Sequence, residues 1–163
     1  RVSNISEFGL SDKDQKYISD RLYKELKDDF APKVGEILLT KDASPGIACV
    51  LKEKVECVVS GGVLRLKLRE SIDLEYLTLC VNSLIGRLQA ERDAGGSIIA
   101  HWKPTQIKQV RIPILPETIQ QEIAKLVRES HAARTKSHEL LEEAKRTVEE
   151  WIENSVRPTV SSK

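Results

Sequence analysis

Hydrophobic positions change their spacing several times along the chain, and each spacing predicts an element. Glu36-Ile37-Leu38-Leu39-Thr40 is a short apolar run behind Gly35 and predicts a strand. Asp42-Ala43-Ser44-Pro45-Gly46 is dense in turn formers and predicts a loop after it. Residues 47–51 and 55–59 are apolar and β-branched and flank Lys52-Glu53-Lys54, a hairpin pattern. Beyond Gly61-Gly62 the run 63–69 alternates, with Leu64, Leu66 and Leu68 on one face and Arg65, Lys67 and Arg69 on the other. Asp73 is suited to cap a helix, and Leu74, Leu77, Val81, Leu84 and Leu88 then recur at helical spacing, predicting one helix with a buried stripe to about Asp93. Gly95-Gly96 opens a loop that runs through Ser97 and His101-Trp102-Lys103; Thr105 is placed to cap a single turn to Lys108, and 110–113 reads as a last strand.

From Glu117 to about Arg157 there is neither Gly nor Pro, and Pro116 suits the first turn of a helix. A helix of that length spans about 60 Å. Its apolar and small residues repeat every seven positions. One row is Ile123, Ser130, Ser137, Ala144 and Trp151; the other is Ile119, Leu126, Ala133, Leu140 and Thr147. Heptad spacing asks for a partner helix, and the small residues at its centre predict close approach of the two backbones there. The expected architecture is therefore α/β of the α+β kind. A mixed-sheet domain over 1–115, expected to be truncated at its N terminus, precedes a long helix of coiled-coil type over 116–157 and a flexible tail over 158–163.

Composition narrows the class. The chain has 163 residues, 40% hydrophobic and 31% charged, which predicts a folded protein rather than a disordered one. No apolar run is long enough to span a membrane and no leader peptide is visible, so a cytoplasmic protein is expected. The chain starts at Arg1 and contains no Met, as expected of a piece of a longer product. Cys49, Cys57 and Cys80 sit among apolar residues without metal-ligand spacing and are read as buried reduced thiols.

Net charge is +1, but it is unevenly distributed. Residues 41–69 carry six cations against three anions, and residues 87–111 carry five against two. Two basic blocks that meet in space form a phosphate-binding footprint. The long helix is mixed in sign.

Catalytic motifs are missing. There is no glycine-rich cofactor loop after a strand, no Asn-Pro-Pro-aromatic element of a methyltransferase and no Gly-x-Ser-x-Gly element. Asp20 with Glu25-Leu26-Lys27 has the spacing of a nuclease metal site but lies in no apolar strand. His131 and His138 are read as a polar flank of the long helix rather than as metal ligands. No catalytic residue, metal or cofactor is expected.

Taken in order, several segments are similar to one family. Residues 35–46 resemble the strand-and-loop segment of the specificity subunit of type I restriction–modification systems. Ser60-Gly61-Gly62-Val63-Leu64-Arg65-Leu66 fits its next segment, and Tyr76-Leu77, Asn82-Ser83 and Gly86 fit the helix that follows. Gly96-Ser97, Ile107, Ile112-Pro113, then Pro116 through Gln120 and Ile123-Ala124 fit the exit and the start of its conserved helix. Two positions depart from the pattern: Ala43, where Gly is common, and Glu117-Thr118-Ile119, where further acidic residues are common.

The resemblance implies a non-enzymatic domain that grips one half-site of double-stranded DNA. It also implies a spacer helix that pairs with another helix, from a second recognition domain or a second copy. Methyltransferase (modification) subunits and a restriction/translocase subunit are its implied partners. On this reading the DNA contacts are Lys41, Asp42 and Ser44 in the first loop, Ser97, His101 and Lys103 in the second, and Arg65, Lys67 and Arg69 on the strand between them. Three alternatives stay open: the recognition region of a fused restriction–methyltransferase polypeptide, a coiled-coil interaction module that reads no DNA, and a Mg²⁺-dependent nuclease, for which no cleavage is expected.

Overall fold

The computed structural model describes residues 1–68, 72–95 and 98–156. The chain divides into two compact units, Arg1–Val127 and Arg128–Lys163.

The first unit is built around one strand. β3 (Ile37–Thr40) is buried at all four positions, as a continuous apolar run requires when both faces are covered. It lies between β4 (Ala48–Val50) and β5 (Val63–Leu66), and both pairings are antiparallel, with Leu39 opposite Ala48 and Leu64. Strand alternation sends Ile37 and Leu39 to one face, where they join Ala48, Ala90 and Trp102 in the main core. Leu38 faces the other way, into a smaller cluster with Ile5, Cys49 and Val63. A two-stranded antiparallel hairpin, β1 (Ile5–Ser6) and β2 (Gly9–Leu10), supplies Ile5 to that second cluster.

Helices complete the unit. α1 (Asp20–Phe30) starts at Ser19, whose hydroxyl accepts from the Leu22 N–H at 3.3 Å. Asp20 and Glu25-Leu26-Lys27, which have the spacing of a nuclease element, are on this helix, with Glu25 paired to Arg21 at 3.2 Å. α2 (Leu74–Asn82) is capped by Asp73 as the sequence predicts. α3 (Leu84–Asp93) and α4 (Pro104–Ile107) follow.

α5 (Glu117–Val156) is the long helix. Its first turns belong to the first unit, where Gln120 and Ala124 are buried with Ile123 and Val127 half-buried beside them. From Arg128 to Ser155 nearly every position is exposed. The α+β class and the long terminal helix stand as expected from the sequence.

Five details differ from the sequence expectation. The sheet expected as mixed is antiparallel in every pairing among the described residues. Residues 55–59 do not form the second arm of a hairpin: the outer edge of β4 is taken by Asn82, and Val59 instead donates its N–H to Phe30 O at 3.0 Å. The helix expected over 73–93 is interrupted at Ser83, an extended residue that ends α2 and caps α3 by accepting from Gly86 N–H at 3.3 Å. Residues 110–113 are not a strand, because the side chain of Gln89 occupies both backbone groups of Arg111, at 2.9 and 3.1 Å. The turn at 104–107 begins from Lys103 rather than Thr105, with Gln106 Oε1 accepting from the Lys103 N–H at 2.9 Å. The tail 158–163 lies outside the described residues, as do Arg69 and Ser97.

Candidate nucleic-acid interface

Two loops meet at the end of β3. The first leaves Thr40, and Thr40 shapes it. Its hydroxyl donates to Ser44 O at 2.5 Å and accepts from Ile47 N–H at 2.9 Å, while its carbonyl accepts from Gly46 N–H at 3.0 Å. The loop is thereby closed on itself before β4 begins. Gly46 has φ +91°, and a Cβ built there would lie 2.8 Å from Ala90 Cβ, so glycine is what lets the loop seat against α3. Ala43 also has positive φ, at +61°, and it stands where the resemblance leads one to expect glycine.

The second loop is tied at its base by His101 and Gly95, whose backbone groups exchange hydrogen bonds of 2.8 and 3.2 Å. Further backbone bonds join the two loops: Ala43 N–H to Ala100 O at 2.9 Å and Trp102 N–H to Lys41 O at 2.7 Å. Trp102 turns inward and is only 2% exposed, filling the main core. Its neighbours His101 and Lys103 turn outward. Alternation around one buried tryptophan thus sets which side chains the loop offers to solvent.

Side chains complete the junction. Asp42 bridges the loops: Lys41 Nζ donates to its Oδ2 at 2.9 Å, and His101 Nδ1 lies 2.8 Å from its Oδ1. The Lys41 hydrogen bond holds Asp42 below its usual carboxylate range; the His101 contact adds to this, and partial burial opposes it. Asp42 is therefore an ionised acceptor near neutral pH, with one partner at each oxygen.

The expected contact residues divide into two sets. Lys41, Asp42, Ser44 and His101 come together at the loop junction, and Lys103 follows two residues after His101. Arg65 and Lys67 do not join them. β5 runs antiparallel to β3, so Val63 lies beside Thr40 and the later residues of β5 lead away from the junction. Arg65 donates to Ala31 O and sits 3.9 Å from Glu36, which ties it to the fold, whereas Lys67 is exposed.

Beside Ser44, the structure brings further residues to the junction. Ser44 to Ile47, Arg87, Glu91, Ala94 and Ala100 line a groove of about 410 Å³ beside the junction. Gln89, Arg92, Gln109 and Arg111 line a second, of about 520 Å³. Ile98 and Ile99, exposed on the second loop, carry no sequence signal that separates them from core residues. Among the described residues no cluster of His, Cys, Asp and Glu could hold a metal ion, and no helix is long and apolar enough to cross a membrane.

A small antiparallel sheet that carries two interlocked loops on its rim, and continues into a long helix with an exposed apolar seam, has the form of a recognition module. The family can be given: the chain matches the type I restriction modification DNA specificity domain over residues 5–145 and belongs to that family. The match extends from the first hairpin well into α5. It is a family of specificity domains rather than catalytic ones, and its members recognise DNA sequence. No curated protein matches the chain.

Proposed function

We propose that this chain reads one half-site of a type I restriction–modification target, with the loops at 41–46 and 98–103 facing the base edges. The observation that carries this reading is the Asp42 bridge. In a domain whose family recognises DNA sequence, it fixes two loops from distant parts of the chain into one polar surface. Phosphate contacts position such a domain, while groove contacts to bases supply sequence information. Lys103 and Lys108, exposed on either side of α4, are suited to the first task; Ser44 and His101 are suited to the second, and Ile98 to a thymine methyl.

The seam of α5 supports a second part of the proposal. Beyond Val127 the helix pairs with another helix, from a second recognition domain or a second copy of this chain, and its docked methyltransferase subunits and a restriction/translocase subunit complete a cytoplasmic enzyme. Leu140 is 52% and Trp151 72% exposed, apolar surface that a partner helix would cover.

Charge reversal at Lys103 tests the DNA reading. Lys103→Glu is expected to weaken binding to duplex DNA of any sequence and to lower the slope of log affinity against log salt by about 1 to 2. Affinity and slope equal to wild type would remove Lys103 from the interface.

A further inference from the structure

The junction also dictates which atom His101 offers. An ionised carboxylate only accepts hydrogen bonds, so the ring nitrogen 2.8 Å from Asp42 Oδ1 must carry the proton. A neutral imidazole has one N–H. With that proton on Nδ1, Nε2 is left as a bare lone pair, on a side chain that is 58% exposed. His101 is oriented through the Asp42 contact and is carried on a held backbone. Its backbone is bonded on both sides to Gly95, and the flanking Ala100 and Trp102 are bonded to Ala43 and Lys41.

Resting on the reading that these loops face base edges, we infer that Asp42 holds His101 as the Nδ1–H tautomer, so that Nε2 acts as an acceptor selecting a base with an exocyclic amino group. In the major groove those bases are adenine and cytosine; guanine and thymine present acceptors at the corresponding positions and are disfavoured by the facing lone pairs. His101 is then a specificity-determining residue, and Asp42 is a positioning residue that acts through it.

Lys41 makes the inference testable with one atom exchanged. In Asp42→Asn the side chain keeps one acceptor and gains a donor. Lys41 can only donate, so the amide oxygen turns to Lys41 and the amide NH₂ faces His101. Nδ1 must then accept, the proton moves to Nε2, and the group offered to DNA becomes a donor. The preferred base at that one position is expected to change from adenine or cytosine to guanine or thymine.

The experiment uses the full-length protein in its modification complex, at about pH 8, above the usual range of imidazole. Duplexes randomised in sequence are selected by wild type, Asp42→Asn and His101→Ala. Nitrogen NMR of labelled histidine reads the tautomer in wild type and Asp42→Asn. Wild type is expected to show Nδ1–H and Asp42→Asn to show Nε2–H. Replacing the preferred adenine or cytosine by its analogue lacking the amino group is expected to cost wild type about three- to tenfold in affinity and His101→Ala nothing. This last comparison does not depend on Asp42→Asn folding.

An Nε2–H or doubly protonated ring in wild type overturns the inference, as does an unchanged base preference in Asp42→Asn. A motif selected by wild type and reproduced by both variants leaves DNA reading intact and removes only this role for His101. No selected motif at all removes the DNA-facing assignment of the loops and this inference with it.

Discussion

Position 43 shows a single residue working against its own backbone. Ala43 sits at φ +61°, a region that costs a side-chain-bearing residue about 1–2 kcal/mol and glycine nothing. The hydrogen bond from its N–H to Ala100 O fixes the conformation, because that bond is one of the links between the loops. Ala43→Gly is therefore expected to raise the free energy of unfolding by about 0.5–1 kcal/mol, once the greater freedom of glycine in the unfolded chain is set against the relief of strain. Denaturant unfolding checks this, and a lower midpoint would contradict it. The sequence marked 42–46 as a turn, and the departure from glycine at 43 was visible there. That Asp42 would bond His101 was not legible, since the pairing joins residues 59 positions apart and depends on how the second loop is seated. Cys49 was legible: a thiol in an apolar strand is buried, and burial raises its pKa to about 11.

At the scale of elements, the long apolar runs and cap residues carried the most information. Of the alternating run 63–69 the strand β5 keeps Val63–Leu66, and β3, the start of α2 and α5 follow from spacing, caps and the placement of Gly and Pro. The helix break at Ser83 did not. Across 74–88 the apolar stripe keeps its phase, yet Leu84 ends 72% exposed, while Gly86 and Ala90 are buried. The reason is close packing. A Cβ on Gly86 would lie 2.1 Å from Val81 O, so the first turn of α3 folds against the end of α2 only because residue 86 is glycine.

Asn82 performs a related task for the sheet. It accepts from Ala48 N–H at 2.9 Å and donates to Ala48 O at 2.8 Å, closing the outer edge of β4 with a helix side chain. Beside Ala48, then, residues 55–59 find no free backbone groups to pair with. Asn82→Ala leaves both backbone groups of a buried residue without their partner, and should lower the unfolding free energy by about 2–4 kcal/mol. A loss below about 0.5 kcal/mol would show that the edge is satisfied in another way.

At the scale of the molecule, the two units call for different tests. In Arg1–Val127 apolar side chains close around β3; in the second unit the helix exposes Leu140, Leu141, Val148, Trp151 and Ile152. An isolated helix gains most of its stability from packing, which is why a partner helix is proposed for these residues. The helix and its heptad spacing are legible in the sequence because the repeat is local, whereas the identity of a proposed partner is not encoded in one helix. If two copies pair, sedimentation of this chain should show a dimer, and Leu140→Glu with Trp151→Glu should give a monomer whose sheet domain still unfolds at the wild-type midpoint. A wild-type monomer at high concentration would exclude self-pairing.

The loops joined by Asp42 and His101 are proposed to determine which DNA sequence is recognised. The most direct measurement is the pattern of methylated sites in the host genome, read with the gene intact, with it deleted, and with it carrying Asp42→Ala and His101→Ala together. A bipartite motif is expected that disappears on deletion and whose one half relaxes or changes in the double variant. An identical motif in the intact and variant strains would contradict it.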